Sequence, residues 1–263
     1  QDCFSSPPSP PPSLTRDTPH LSLSLPPSPA DPQSFFMDGE IREGYPSPNL
    51  KPGEVSTGTT IMAVSVADGV VLAADSRTSM GSYIGNRVSD KIAQLHDYIY
   101  CCRSGSAADT QALTDYVRLY LAQHAVELGR LPLVSTAAHL MRKIAYQNKD
   151  NLMAGIIIAG WDPVDGGSVY NIPLGGTCIK MPFAVGGSGS TYVYGLVDAT
   201  YVEGMGKDEA EKFVKKSVSH AMSRDGSSGG VIRTVSVVGD GNGGARITKS
   251  YTEGDKLPFP ASG

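Results

Sequence analysis

Cysteine is scarce in this chain. Four occur in 263 residues: Cys3, Cys101, Cys102 and Cys178. Two are adjacent within an apolar run, so they do not build a disulfide framework, and a chain of this length does not need one. They are expected to be buried or free thiols of a reducing compartment. Metal-ligand spacing is missing too. The chain has five histidines but neither H-E-x-x-H nor C-x-x-C, so no metal or other cofactor is expected. No apolar run approaches the ~18 residues that a membrane helix requires. The densest, residues 154–161, is strand-sized. The amino-terminal stretch lacks the basic flank and continuous apolar core of a signal peptide. Basic blocks and aromatic-basic interleaving are absent and the net charge is −4. Neither nucleic acid nor a membrane is therefore an expected partner.

What is present divides the chain in two. Residues 1–52 carry 13 of the 19 prolines, with serine between them. Such a segment buries too little apolar area to offset its ordering entropy, so it is expected to be disordered. The first methionine is Met37. This gives the expectation that residues 1–36 lie upstream of the natural start and that 37–58 are the native leader. The two expected parts are thus a removed leader, 1–58, and a folded domain, 59–263. Hydrophobic residues make up 40% of the whole, enough for a sizeable core.

From Thr59 onward the pattern is ordered. Residues 60–66 and 70–77 read as a hairpin around Ala67-Asp68-Gly69, and 92–95 with 98–103 as a second pair. Ser106-Ala-Ala-Asp109 reads as a capping box opening a long helix to Leu128, with Gly129 as its stop. A second helix is expected over 135–148, strands near 152–160, 168–172, 177–180 and 183–186, then helices over 190–203 and 207–223. Strands at 231–238 and 245–250 close the chain. Helices arrive in pairs rather than singly between strands. The fold class is therefore α+β, with antiparallel sheets and helices layered outside, rather than βαβ winding. Gly239-Asp-Gly-Asn-Gly-Gly244 formally fits a dinucleotide fingerprint. A strand pattern follows it where a helix is needed, so it reads as a hairpin loop.

The chemistry centres on Gly58-Thr59-Thr60, where the leader meets the first strand. A cut after Gly58 would leave Thr59 with a hydroxyl and a free α-amine on one residue. An α-amine titrates near ~7.7–8.0 and can take the hydroxyl proton at neutral pH, so nucleophile and base come together. Other residues stand at fixed intervals from this point. Asp75 lies 16 positions on and Lys91 lies 32 positions on. Arg103-Ser-Gly105-Ser-Ala-Ala-Asp109 precedes the long helix. Gly186-Gly-Ser188-Gly-Ser190 precedes the third, and Asp225-Gly-Ser-Ser228-Gly-Gly230 precedes the last strands. Taken singly these are ordinary features: a strand-end aspartate, a surface lysine, glycine loops.

As a set they resemble the catalytic β subunits of the eukaryotic 20S proteasome, within the N-terminal-nucleophile hydrolases. The likeness runs over residues 57–255. Arg103, with Ser76-Arg-Thr-Ser and Asn86-Arg-Val-Ser-Asp-Lys91, is most similar to the caspase-like members. The resemblance implies a four-layer αββα sandwich of two antiparallel sheets flanked by helix pairs. It implies a threonine endopeptidase cleaving after acidic residues in ubiquitin-dependent degradation, made as a zymogen whose propeptide is cut autocatalytically at Gly58–Thr59. It casts Thr59 as nucleophile and base. Lys91 becomes the charge beside it, Asp75 the partner of Lys91, and Gly105 the oxyanion donor. Ser188, Asp225 and Ser228 hold the amine. Thr78, Ser79, Ala93, Arg103, Ala107 and Gln111 line the substrate cleft, with Arg103 at the base of the S1 pocket. Implied partners are the other α and β subunits of a stacked-ring particle and unfolded polypeptide substrate, in cytoplasm and nucleus. Two rivals stand beside this reading. A non-catalytic structural β subunit would lack the threonine, the lysine or the processing site. A separate N-terminal-nucleophile amidase would act outside any ring.

Overall fold

The computed structural model describes residues 58–80 and 83–257. The leader up to residue 57, its expected disorder and Cys3 lie outside the described residues.

Among the described residues, twelve strands and four α-helices follow in the order β1 (Ile61–Val66), β2 (Gly69–Ala74), β3 (Thr78–Met80), β4 (Tyr83–Asn86), β5 (Ile92–His96), β6 (Ile99–Gly105), α1 (Ala107–Leu128), α2 (Val134–Gln147), β7 (Ala154–Asp162), β8 (Gly166–Ile172), β9 (Ile179–Lys180), β10 (Phe183–Gly186), α3 (Tyr194–Thr200), α4 (Lys207–Arg224), β11 (Ile232–Gly239) and β12 (Ala245–Thr252). One five-stranded sheet runs β10-β1-β2-β11-β12 and a second runs β5-β6-β7-β8-β9. Every pairing between them and in the small β3-β4 hairpin is antiparallel.

Side-chain alternation along these strands builds three apolar layers. On β1 and β2, Ile61, Ala63, Val70, Leu72 and Ala74 point inward to meet Tyr100, Cys102, Ile157, Ala159 and Val169 of the other sheet. The alternate residues Met62, Val64, Val71 and Ala73 pack outward beneath α4, against Val214 and Val218. Across the molecule Cys101, Ile156 and Ile158 face Leu113, Val117, Val134 and Met141 of α1 and α2. Strands buried on both faces need no polar alternation, which is why β2 and β7 read as unbroken apolar runs. The product is the four-layer αββα arrangement. Cys101 and Cys102 fall on opposite faces of β6 for the same reason of period. Cys101, Cys102 and Cys178 are free thiols.

Several ends differ from the sequence reading, each with a local cause. Strand β2 stops at Ala74 because Ser76 and Arg77 turn their N–H groups to the Gly229 carbonyl, at 3.1 and 3.0 Å. The expected capping box is half formed. Ser106 accepts from Asp109 N at 3.3 Å, but the Asp109 carboxylate accepts from Met153 N at 3.0 Å instead of reaching back. The expected third helix, 190–203, is a 3-10 turn at Ser188–Tyr192, closed by Ser190 N to Gly187 O at 3.2 Å and Val193 N to Ser190 O at 3.1 Å, followed by the short α3. The β3-β4 hairpin was not legible in advance. The Gly239–Gly244 run is the turn between β11 and β12, which pair from Gly239 opposite Ala245.

Candidate active site

Strand order brings the chemistry-bearing residues to one end of the sandwich. Thr59 lies two residues before β1, Asp75 follows β2, Lys91 precedes β5 and Gly105 ends β6. Thr59 is 2% exposed, Asp75 not at all, and Lys91 7%. Lys91 Nζ lies 2.7 Å from Asp75 Oδ1. The aspartate is saturated from three other directions: Thr60 N donates to Oδ1 at 2.9 Å, and Arg77 N and Gly229 N donate to Oδ2 at 3.2 and 3.0 Å. A carboxylate buried this deeply requires such company. Burial nevertheless dominates both partners. It pushes the Asp75 carboxyl up and the Lys91 ammonium down, and their mutual attraction opposes both shifts.

The second donor direction of Lys91 points at the bond before Thr59. Its Nζ donates to the Gly58 carbonyl oxygen at 3.1 Å, and the Thr59 hydroxyl donates to the same oxygen at 2.7 Å. Gly58 N is held in turn by Ser79 Oγ at 3.1 Å.

On the other side of Thr59 a hydroxyl-carboxylate cluster receives its nitrogen. Thr59 N donates to Ser188 Oγ at 3.1 Å, and Ser188 Oγ donates to Asp225 Oδ2 at 2.7 Å. Ser228 Oγ donates to the same Oδ2 at 2.6 Å. Of the three, Ser188 alone touches the Thr59 nitrogen. Asp225 and Ser228 stand one step behind it. The glycines around Ser188 let this loop lie on residues 59 and 60. A Cβ at Gly187, whose φ is +83°, would run into the Thr59 carbonyl, and one at Gly189 into Thr60 Oγ1.

Gly105 ends β6 with φ +101°, a conformation that L side chains rarely adopt, and an added Cβ would meet the Met153 carbonyl oxygen. Together with Ser104, Gly187 and Ser188 it borders a cavity of about 390 Å³. None of the six expected cleft residues lines that cavity. They lie elsewhere. Ser79 holds Gly58. Thr78 Oγ1 donates to Ser89 Oγ at 2.9 Å. Ala93 packs at the edge of the α1-α2 layer. Ala107 and Gln111 are exposed on the first turns of α1. Arg103 is half-buried and donates through Nη2 to the Asp90 carbonyl at 2.9 Å, while its buried Nε has no hydrogen-bond partner among the described residues.

Sequence reasoning missed Thr60, Arg77 and Gly229. The backbone N–H groups of all three satisfy Asp75, and the only signal each gives is that it stands in a run already singled out: Gly58-Thr59-Thr60, Ser76-Arg-Thr-Ser and Ser227-Ser-Gly-Gly230. Among the described residues no group of three His, Cys, Asp or Glu side chains gathers as a metal site. No helix among them is long and apolar enough to cross a membrane.

Two antiparallel sheets face to face, helices outside each, and a threonine leading the first strand define the N-terminal-nucleophile hydrolase fold. A family model described as proteasome subunit matches residues 55–237. The chain is 55% identical over 212 residues to proteasome subunit beta type-6 of Dictyostelium discoideum, covering 81% of this chain and 97% of that protein. It is 55% identical over 186 residues to proteasome subunit beta type-1 of Saccharomyces cerevisiae, covering 71% and 86%. With human proteasome subunit beta type-9 it shares 50% over 202 residues, covering 76% and 92%. The chain belongs to the proteasome subunit family, among its β-type members.

Proposed function

We propose that this chain is a threonine endopeptidase of the 20S proteasome core that cleaves after acidic residues. The observation that carries the reading is the convergence of the Thr59 hydroxyl and the Lys91 ammonium on one carbonyl oxygen, that of Gly58, at 2.7 and 3.1 Å. A nucleophile and a cation held on the same carbonyl are the parts that acyl transfer needs.

In the mature form the Thr59 amine takes the proton of its own hydroxyl, and Oγ1 attacks the substrate carbonyl carbon. The oxyanion takes hydrogen bonds from the Gly105 N–H. Lys91, kept charged and aimed by Asp75, favours the alkoxide by its field. Collapse breaks the peptide bond, and the leaving nitrogen takes the proton from the Thr59 amine. Water, with the amine again as base, hydrolyses the ester. Every step uses groups of the chain itself.

Specificity for an acidic P1 residue rests on Arg103. Arg103 is half-buried and spends Nη2 on the Asp90 carbonyl, and its guanidinium charge would pair with a substrate carboxylate. The partners are the other α and β subunits of the stacked-ring particle and unfolded polypeptide, in cytoplasm and nucleus, in ubiquitin-dependent degradation. The test is Thr59→Ala in assembled particles. It is expected to abolish cleavage of acidic-P1 peptides while assembly persists, and Thr59→Ser to retain partial activity. Cleavage surviving in Thr59→Ala with no other subunit responsible would overturn the reading.

A further inference from the structure

Asp109 is the carboxylate of the first turn of α1, and the acyl-transfer chemistry makes no use of it. Its Oδ2 accepts from Met153 N at 3.0 Å, 44 positions along the chain. Met153 O in turn accepts from Ser106 N at 2.8 Å. Ser106 Oγ accepts from Asp109 N at 3.3 Å, which closes a ring of hydrogen bonds through Asp109, Met153 and Ser106. Ser106 is tied to the helix a second time, because its carbonyl accepts from Thr110 N at 3.0 Å and from Thr110 Oγ1 at 2.9 Å. The ring joins the start of α1 to the residue before β7.

Gly105 stands at the edge of this ring. The pairing of β6 with β7 ends at Gly105 opposite Ala154, so beyond that pair the strand ladder no longer holds the chain. Glycine populates positive φ about as readily as negative, and Gly105 has no side chain to keep its φ at +101°. Its neighbours must do so. The Met153 carbonyl oxygen presses on Gly105 where a Cβ would stand, and the same oxygen receives the N–H of the next residue, Ser106.

We propose that Asp109 is a positioning residue for the oxyanion donor. By anchoring Met153 N to the first turn of α1, its carboxylate fixes the Met153 carbonyl against Gly105 and Ser106 and so keeps the Gly105 N–H aimed at the developing oxyanion. Such a donor stabilises the transition state in proportion to how well it is preorganised. Without the carboxylate the Met153 backbone loses its tie to α1, Gly105 regains range in φ, and its N–H is aimed less often. The inference deepens the peptidase reading and rests on Gly105 being the donor in it.

The test uses assembled particles in which the chain is supplied as a fusion that another protease cuts. Intact mass establishes that the amino terminus is Thr59, so slow processing is not read as slow catalysis. Asp109→Ala is expected to lower kcat on an acidic-P1 peptide about tenfold, less than the ~10²–10³ that outright loss of an oxyanion donor costs. KM should stay within about twofold, because acylation and deacylation both pass through an oxyanion and slow together. Asp109→Asn keeps an acceptor oxygen for Met153 N and is expected to stay within about twofold of wild type. A general loss of structure is told apart by inhibitor binding. In its tetrahedral adduct with Thr59, a peptide boronate places a hydroxyl at the oxyanion position, whereas the matching peptide alcohol has no carbonyl to attack and forms no oxyanion. Asp109→Ala should weaken the boronate about tenfold and leave the alcohol unchanged. Asp109→Ser, whose hydroxyl is too short to span to Met153 N, carries the same expectation and takes the place of Asp109→Ala if that variant does not assemble. Unchanged kcat and boronate affinity in Asp109→Ala, equal weakening of boronate and alcohol, or Asp109→Asn as slow as Asp109→Ala would overturn the proposal. Thr59→Ala separates the two readings: activity surviving there removes the peptidase assignment, whereas an inert Thr59→Ala beside a normal Asp109→Ala removes only the role of Asp109.

Discussion

Lys91 and Asp75 form a buried ion pair of 2.7 Å in which the two partners are unequally supported. Asp75 accepts three backbone N–H bonds, from Thr60, Arg77 and Gly229. Lys91 has, besides Asp75, the Gly58 carbonyl. The aspartate is thus the hub that ties β1, β2 and the Gly229 loop together, and the lysine is the member aimed at the Gly58 carbonyl before Thr59.

Substitutions at the two positions should separate on this ground. Asp75→Ala leaves a buried ammonium and the Thr60 and Gly229 N–H groups without their acceptor, while Arg77 N keeps the Gly229 carbonyl. It is expected to cost about 3–5 kcal/mol and to reduce the yield of assembled chain. Lys91→Ala leaves the carboxylate with its three N–H donors, so assembly should persist while peptide cleavage falls about 10²-fold or more. Comparing particle yield with specific activity for both variants tests this. Equal loss of assembly in the two would contradict it.

Activity should follow a bell in pH. On the acid side the Thr59 amine must lose its proton to serve as base. On the alkaline side the Lys91 ammonium must keep its proton. Burial lowers the Lys91 pKa, so rising pH removes that charge earlier than for an exposed lysine. The alkaline limb of kcat/KM is therefore expected below the ordinary lysine range. An alkaline limb lying at or above that range would show that Lys91 is not the group titrating.

Arg103→Leu should exchange an acidic for a branched apolar P1 preference. The guanidinium is tied by Nη2 to Asp90 O at 2.9 Å, and its charge is the group an acidic side chain would pair with. With leucine there, an incoming carboxylate would be buried without a partner, at a cost on the order of a few kcal/mol. The ratio of Asp-P1 to Leu-P1 cleavage should fall by about 10²-fold or more. A ratio that does not move would remove Arg103 from the pocket.

The elements that sequence disclosed are those whose cause is local. Ile61, Ala63, Leu72 and Ala74 alternate with Met62, Val64, Val71 and Ala73, and both sets are apolar because both faces are covered. Gly129 stops α1 with φ +62°, as its lack of a side chain allows. What sequence hid depends on distant contacts. The residues by themselves give no sign that Ser188 meets Thr59 across 129 positions, which only the family resemblance implies, or that Gly229 meets Asp75 across 154. Asp109 reads as a cap because its preference for Met153 N, 44 positions away, leaves no local trace. The β3-β4 hairpin escaped because its residues are mostly exposed, so burial imposes no pattern on them.

The leader should be removed at Gly58–Thr59 by the chain itself. Before the cut Thr59 N is an amide, donating to Ser188, and has no basic lone pair, so the uncut chain should be inactive toward peptides. The parts of the cut are already assembled. The Thr59 hydroxyl rests on the Gly58 carbonyl oxygen and Lys91 polarises the same oxygen. Attack forms a bond from Oγ1 to the Gly58 carbonyl carbon. The C–N bond then breaks, and the hydroxyl proton ends on the released nitrogen. Water hydrolyses the resulting ester, leaving Gly58 as a carboxylate and Thr59 as a free amine. Lys91 is thus expected to be needed for the cut as well as for later turnover. Lys91→Ala should accumulate uncut chain in assembled particles, and Thr59→Ala should do so completely. Supplying the chain already cut, as a fusion whose cleavage by another protease exposes Thr59, should bypass the first defect of Lys91→Ala but not its slow turnover. Intact-mass analysis reads the first quantity and peptide hydrolysis the second. A mature terminus at any residue other than Thr59 would defeat the single-residue nucleophile and base.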